Sequence, residues 1–200
     1  MSNAFKMLGR VLHVRSRSSA GKNANLLRLL LQGLPMYLCP SGFSFMPLSV
    51  FFIVNGRCNL RCKICDVGQK NKESIFYKNL AENSGEISLS GFKSIVQQLH
   101  LSTFISITST EPLLWEPLID AITWAAKEGR DVNVTTNGFL LPQKAKELVK
   151  SGLKKISVSI DGPESIHDFA RGIPGSYRNA VKGIQEVTAS AKKMRIPGPR

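Results

Sequence analysis

Short β-rich runs alternate with helical stretches along most of this 200-residue chain. The runs are rich in β-branched and aromatic residues, and the stretches between them carry apolar residues three and four positions apart. Such alternation is typical of right-handed βαβ units, which place parallel strands in one sheet with helices outside it. We therefore predict an α/β fold. The predicted strands are 48–55, 103–108, 131–136 and 155–161, and the predicted helices are 90–100 (with a serine as N-cap), 117–128, 142–150 and 176–193.

Positive charge is concentrated before and just after the first predicted strand. The chain has 27 Lys and Arg against 14 Asp and Glu, and residues 1–72 hold eleven of these cations against the single acid Asp66. We predict two regions, a basic N-terminal extension with an amphipathic segment, 1–46, and a folded domain, 47–200. The extension is either a solvated cationic segment or a surface for nucleic acid or an anionic membrane.

Composition and the spacing of prolines exclude several classes of protein. Hydrophobic residues make up 42% of the chain and charged residues 20%, which is typical of a folded globular chain. The longest uncharged stretch is interrupted by Pro35, Pro40 and Pro47, so its pieces are shorter than the roughly 20 residues of a membrane-spanning helix. Four cysteines are too few for a disulfide scaffold, and we expect a reducing, cytoplasmic environment.

Chemically active side chains follow the ends of all four predicted strands. Ligands of parallel α/β sheets and barrels bind where the strands reach their carboxyl ends, so we expect these side chains to meet in one site. The segments are Cys58 to Cys65 after the first strand, Ser109 to Pro112 after the second, Asn137-Gly138 after the third, and Ser159 with Asp161-Gly162 at the fourth.

The three cysteines Cys58, Cys62 and Cys65 have a C-x3-C-x2-C spacing on one predicted loop. Thiolates at this spacing can turn toward one soft metal centre, and three ligands leave a coordination position open for chemistry. Two alternatives remain open. Cys39 could supply a fourth ligand and close a zinc site, or Cys62 and Cys65 could form a redox dithiol.

The segment Cys58-Asn-Leu-Arg-Cys62-Lys-Ile-Cys65 resembles the cluster loop of the radical S-adenosylmethionine (radical SAM) superfamily. The resemblance implies a partial (βα) barrel, with about four of the family's six βα units present. It implies that the cysteines bind a 4Fe-4S cluster whose free iron binds S-adenosylmethionine. One electron, from a donor such as flavodoxin or ferredoxin, would then release a 5′-deoxyadenosyl radical that abstracts hydrogen from a substrate.

The second and third strand ends extend the resemblance. Ser109, Thr110 and Glu111 with the following proline stand where the family has Gly-Gly-Glu-Pro, which binds the cofactor's ammonium group. Glu111 matches, whereas both glycines are replaced, and glycine allows a backbone to approach a ligand closely. Asn137, in a Thr-Asn-Gly sequence, resembles a family segment that follows the third strand. The same Asn-Gly pair is also typical of an ordinary turn.

The fourth strand end resembles the peptide-modifying and sulfatase-maturing branch of the family. There, a serine and an arginine twelve residues later bind the cofactor carboxylate, and Ser159 and Arg171 have this spacing. Asp161 is either the N-cap of a helix that opens at Pro163 or a cofactor contact, and His167 is interpreted as structural. Ile64 stands where an aromatic residue often covers the adenine, and we expect it to keep that contact.

Two classes of function follow from these patterns. The first is a radical SAM enzyme acting on an unidentified peptide or small molecule. The second is a non-catalytic iron-sulfur or zinc-binding module, favoured by the two replaced glycines and by the small number of βα units. Since four strands leave a parallel edge and apolar surface uncovered, we also expect this chain to self-associate.

Overall fold

A parallel four-stranded sheet forms the centre of the computed structural model, which describes residues 47–200 except 83, 84 and 109. The strand order is sequential, β1-β2-β3-β4, and every pairing is parallel. In the register of the sheet, Phe52 faces Ile107 and Val134 faces Ile156. The α/β prediction is therefore confirmed, although the described strands form an open sheet. The strands are β1 Ser49–Ile53, β2 Phe104–Thr108, β3 Val132–Thr136 and β4 Lys155–Val158.

Helices connect the strands, and the longer ones pack on one face of the sheet. They are α1 Asp66–Gln69, α2 Ile75–Tyr77, α3 Leu89–Gln97, α4 Leu118–Lys127, α5 Leu141–Lys150, α6 Glu164–Arg171 and α7 Ser176–Met194. A π-helical turn, Lys78–Glu82, follows α2, and a 3-10 turn, Pro112–Leu114, follows β2. The four predicted helices correspond to α3, α4, α5 and α7, whose ends lie within three residues of the predicted ones.

The core lies between the sheet and its helices. Alternate residues of a strand point to opposite faces, so Ile105 and Ile107 of β2 are fully buried on the helical side. There, Phe92 of α3 packs between Phe52 and Trp115, with ring centroids 4.8 Å and 5.8 Å apart. Apolar burial of this kind is the main favourable term in folding and fixes the helices on the sheet.

The beginning of α3 differs slightly from the sequence expectation. The helix begins at Leu89, and Ser88 is its N-cap, whose hydroxyl accepts a hydrogen bond from the Gly91 amide at 3.0 Å. Ser90, at the predicted start, instead lies inside the first turn. Both serines suit an N-cap by residue type, and pattern alone does not choose between neighbours two positions apart.

The other face of the sheet is partly open. Phe51 and Ile53 of β1 point to it and are 64% and 46% exposed. Beside β4, Arg200 donates a hydrogen bond to the Lys154 carbonyl (3.0 Å) and accepts one from the Ile156 amide (2.8 Å), as a parallel neighbour does. Among the described residues, no helix is long and apolar enough to cross a bilayer. The predicted extension, 1–46, with its Cys39, lies outside the described residues.

Candidate functional site

The three cysteines line one cavity at the carboxyl edge of the sheet. The cavity has a volume of about 470 Å³. Cys62 is buried, Cys58 is half-buried and Cys65 is exposed. The structure also brings other predicted site residues to this cavity, namely Ile64, Thr110, Asn137, Ser159 and Arg171. The side chains that sequence reasoning did not single out there include Phe76, Leu80 and Thr135.

Close backbone contacts hold the cysteine loop in place. Gly68 of α1 lies against Cys62, since a Cβ atom at Gly68 would be 2.6 Å from the Cys62 amide nitrogen. The Gln69 side chain donates a hydrogen bond to the Cys62 carbonyl at 3.0 Å. On the other side, the Lys63 amide donates to the Ala170 carbonyl of α6 at 2.8 Å. Sequence reasoning missed Gly68 and Gln69, for which the only signal is their position directly after the last cysteine.

Asn137 links the third strand end to the cysteine loop. Its Nδ2 donates to Asn59 Oδ1 at 2.8 Å and lies 3.9 Å from Cys58 Sγ. Its Oδ1 accepts from the Phe139 amide at 2.9 Å, which is the hydrogen bond of a side-chain-stabilised turn. The same amide group therefore closes a turn and contacts the cysteine loop, and its contact with a cofactor stays a prediction.

Glu111 is fully buried and does not line the cavity. Its carboxylate accepts hydrogen bonds from the Leu113 amide (3.0 Å), the Thr136 hydroxyl (2.7 Å) and the Asn137 amide (2.9 Å). Burial raises the pKa of Glu111, although these hydrogen bonds act in the opposite direction. Glu111 therefore joins the second and third strand ends beneath the cavity wall.

The neighbours of Glu111 are placed differently. Thr110 reaches the cavity, and its hydroxyl donates to the carbonyl of the buried Asn55 at 2.6 Å. Ser109 lies outside the described residues. Asn55 also donates from its side chain to the Glu111 carbonyl at 3.1 Å, so it connects the first and second strand ends. Sequence analysis placed Asn55 only at the end of a predicted strand and gave it no role.

At the fourth strand end, Ser159 and Arg171 line the cavity as the sequence predicts. The N-cap interpretation of Asp161 is wrong, because α6 begins at Glu164 with Pro163 in the cap position and no capping side chain. Asp161 instead accepts two hydrogen bonds from Arg171, at 2.6 Å and 2.8 Å. His167 is fully buried within α6, which is consistent with its structural interpretation.

The chemistry of the donor set fits a thiolate-bound metal cluster. Burial raises the pKa of the Cys58 and Cys62 thiols, while Arg171 acts to lower the pKa of Cys62. Thiols of this kind are deprotonated most readily when a metal replaces the proton. Three of them on one cavity wall provide soft ligands beside open space. Across the described residues, no three His, Cys, Asp or Glu side chains are arranged to hold a single metal ion.

Comparison with known proteins finds a matching family and several sequence relatives. The family model of the radical SAM superfamily matches residues 52–199. A probable GTP 3′,8-cyclase of Pyrobaculum aerophilum is 31% identical over 138 residues, which are 68% of this chain and 42% of the relative. An AdoMet-dependent heme synthase of Nitratidesulfovibrio vulgaris is 28% identical over 135 residues, 66% of this chain and 34% of the relative.

Solved structures share the fold. Streptococcus suis SuiB bound to S-adenosylmethionine superposes with a TM-score of 0.57 at 15% identity, covering 94% of this chain and 41% of that one. The anSMEcpe complex with AdoMet and the Cp18Cys peptide gives 0.52 at 21% identity, covering 75% and 41%. The chain spans less than half the length of these relatives. With its three cysteines on one cavity at the strand ends and a family match over most of its length, this chain belongs to the radical SAM superfamily.

Proposed function

We propose that this chain is the cofactor-binding part of a radical SAM enzyme. The observation that carries the proposal is the single cavity shared by Cys58, Cys62, Cys65 and Arg171. Three thiol ligands with open space beside them suit a 4Fe-4S cluster that leaves one iron free for S-adenosylmethionine. When bound, this pair supplies one-electron cleavage of S-adenosylmethionine to methionine and a 5′-deoxyadenosyl radical, which takes hydrogen from the substrate.

Each residue has a defined part in this proposal. Cys58, Cys62 and Cys65 hold the cluster, and Arg171 with Ser159 binds the carboxylate of S-adenosylmethionine. A guanidinium fork suits a carboxylate in charge and shape. Three other residues that line the cavity complete the site. Ile64 covers the adenine, and the Thr110 hydroxyl accepts a hydrogen bond from the ammonium group. Asn137 holds the cysteine loop in place beside Cys58. Glu111, which lies behind the wall, supports Asn137 and Thr136 from below.

The substrate is a peptide or a small molecule. SuiB has been solved with its precursor peptide SuiA and anSMEcpe with the Cp18Cys peptide, while sequence relatives are named as GTP cyclases. The electron comes from a reduced carrier such as flavodoxin or ferredoxin. Three cysteines without disulfides suit a reducing cytoplasm. The basic extension, 1–46, offers a further contact with nucleic acid or an anionic membrane.

Anaerobic reconstitution with iron and sulfide tests the proposal. We expect about four iron and four sulfide per chain, a brown absorbance lost on reduction, and release of 5′-deoxyadenosine that requires dithionite and S-adenosylmethionine. Colourless protein that retains zinc would contradict the proposal and support the non-catalytic module.

Single cysteine variants give the matched control. Cys58→Ala, Cys62→Ala and Cys65→Ala should each lose most of the bound iron, because each removes one of three thiolate ligands. Cys39→Ala should keep it. The closed zinc alternative makes the opposite prediction for Cys39, so loss of metal in that variant would favour it.

A further inference from the structure

Arg171 is held by a carboxylate on one edge of its guanidinium. Its Nε donates to Asp161 Oδ2 at 2.6 Å and its Nη2 to Asp161 Oδ1 at 2.8 Å, and the side chain is only 14% exposed. Two parallel bonds between planar groups fix orientation as well as position. The positive charge of the same guanidinium acts to lower the pKa of the Cys62 thiol, so Arg171 lies near both a carboxylate and one of the cysteines.

Asp161 is itself held by a buried ring. Its backbone amide donates to Nδ1 of His167 at 3.2 Å, and one carboxylate oxygen lies 3.7 Å from the same nitrogen. His167 is fully buried and packs edge-on against Tyr177 of α7, with ring centroids 5.8 Å apart. Because Nδ1 accepts a hydrogen bond, a neutral ring carries its proton on Nε2, which has no hydrogen-bond partner in the described part of the chain.

The groups that face His167 favour its neutral form. Burial lowers the pKa of His167 and the neighbouring Arg171 lowers it further, against the opposing effect of Asp161 and Asp168. A neutral ring keeps Nδ1 available as an acceptor for Asp161. A series of contacts thus connects the packing of α6 on α7 with the cavity. It passes from His167 to Asp161 and from Asp161 to Arg171.

The unused edge of Arg171 determines what it can bind. Arginine presents five N–H donors in a rigid fork, and Asp161 occupies the edge formed by Nε and Nη2. Asp161 does not use Nη1 or the second N–H of Nη2, and the Arg171 side chain lines the cavity. A ligand carboxylate can bind there without displacing Asp161.

We propose that Asp161, anchored by His167, is a positioning residue that orients Arg171 for the carboxylate of S-adenosylmethionine. This inference rests on the function proposed above. A guanidinium without its carboxylate partner samples several rotamers, and ordering it on binding costs free energy. Asp161 removes that cost by holding the fork before the ligand arrives.

The variant Asp161→Asn tests the proposal, since the amide keeps the shape and loses the charge and one acceptor. In the reconstituted protein we expect S-adenosylmethionine to bind about tenfold more weakly, a loss typical of a hydrogen bond to a charged group, at unchanged iron content. The matched control is Glu164→Gln at the start of α6. Glu164 has a partly exposed carboxylate that pairs with Arg178 of α7 at 2.6 Å, so its variant should bind within about twofold of wild type.

A second readout needs no cofactor. In nitrogen-15 spectra of the metal-free chain, the Arg171 Nε–H should exchange slowly with solvent in the wild type and in Glu164→Gln, and quickly in Asp161→Asn. Slow exchange in Asp161→Asn, or binding as tight as or tighter than wild type, overturns the inference. A wild-type chain that protects this N–H yet binds no S-adenosylmethionine overturns the proposed function and leaves the arrangement standing.

Discussion

Glu111 shows how a residue predicted to touch a ligand can act from behind it. Its carboxylate accepts three hydrogen bonds from the second and third strand ends and is shielded from the cavity. An isolated buried carboxylate is costly, and hydrogen bonds to its ionised form offset only part of that cost. The folded state therefore favours the protonated acid more than the unfolded state does.

This imbalance predicts a pH-dependent stability. Since the pKa of Glu111 is raised in the folded state, the folded chain binds more protons than the unfolded chain at pH values between the two pKa values. The free energy of unfolding should then fall as pH rises from about 4, the ordinary Glu value, through the raised pKa of Glu111. In Glu111→Gln this fall should disappear, although the lost hydrogen bond from Asn137 costs roughly 1–3 kcal/mol at every pH. Urea unfolding across this range measures both effects.

The control for this prediction is Glu128→Gln, at an exposed carboxyl after α4. It should show the same slope as wild type. An unchanged slope in Glu111→Gln would show that another group causes the pH dependence or that Glu111 titrates normally.

At the scale of single residues, the sequence predicted which residues reach the cavity better than it predicted their hydrogen-bond partners. The three cysteines, Arg171 and Asn137 all reach the cavity as expected, because each follows a strand end and the parallel topology brings these ends together. The two alternatives for Asp161, an N-cap or a cofactor contact, did not include its pairing with Arg171, which lies at the far end of α6. A pairing over ten residues depends on how α6 folds back, which local pattern does not contain.

At the scale of elements, the cysteine loop depends on its contact with the end of α6. Gly172 ends this helix with φ of 73°, a left-handed conformation that glycine adopts without strain. A Cβ atom there would also press against the Arg61 carbonyl group, lying 3.0 Å from its carbon. Gly172 thus meets two requirements, one conformational and one steric, and both concern the loop that carries Cys62.

Two glycine variants separate these requirements. Gly172→Ala should lower the free energy of unfolding by more than the roughly 1–2 kcal/mol of left-handed strain, and should reduce the iron bound on reconstitution because the loop shifts. Gly175→Ala has the same strain, at φ of 80°, but its Cβ atom would meet nothing within 4 Å. Its free energy of unfolding should fall by the strain energy alone, and it should bind as much iron as wild type. Equal iron content in both variants would show that the loop tolerates the contact.

Helices were predictable from the sequence where their apolar pattern repeats over many residues. The helices α3, α4, α5 and α7 span nine residues or more, so their apolar spacing repeats often enough to be recognised. The short helices α1 and α2 and the π-helical turn have too few residues for any period to appear. Their positions follow from contacts such as Gly68 against Cys62, which arise only in the folded chain.

At the scale of the whole molecule, the described residues leave one face of the sheet incompletely covered. Phe51 and Ile53 are exposed on β1, opposite the side where Phe52 packs against α3. We expect wild-type chain to self-associate, because exposed apolar side chains on an open sheet favour contact between molecules. Size-exclusion chromatography with light scattering over a concentration series checks this, with a mass that rises with concentration as the expected result.

The double variant Phe51→Ser with Ile53→Thr should reduce the association, since it removes apolar surface from the open face while keeping β1 compatible with a strand. Ile75→Thr, at a residue of α2 that is 67% exposed, is the control and should associate like wild type. A stable wild-type monomer at all concentrations would contradict the expectation.

The two hydrogen bonds between Arg200 and β4 also matter for handling the protein. They align the backbone at Arg200 with the neighbouring strand, so any residues joined to its carboxyl group start their path along the rim of the sheet. An affinity tag or fluorescent reporter fused at this end would therefore compete for backbone partners of β4. Purification handles and surface immobilisation are better kept away from Arg200.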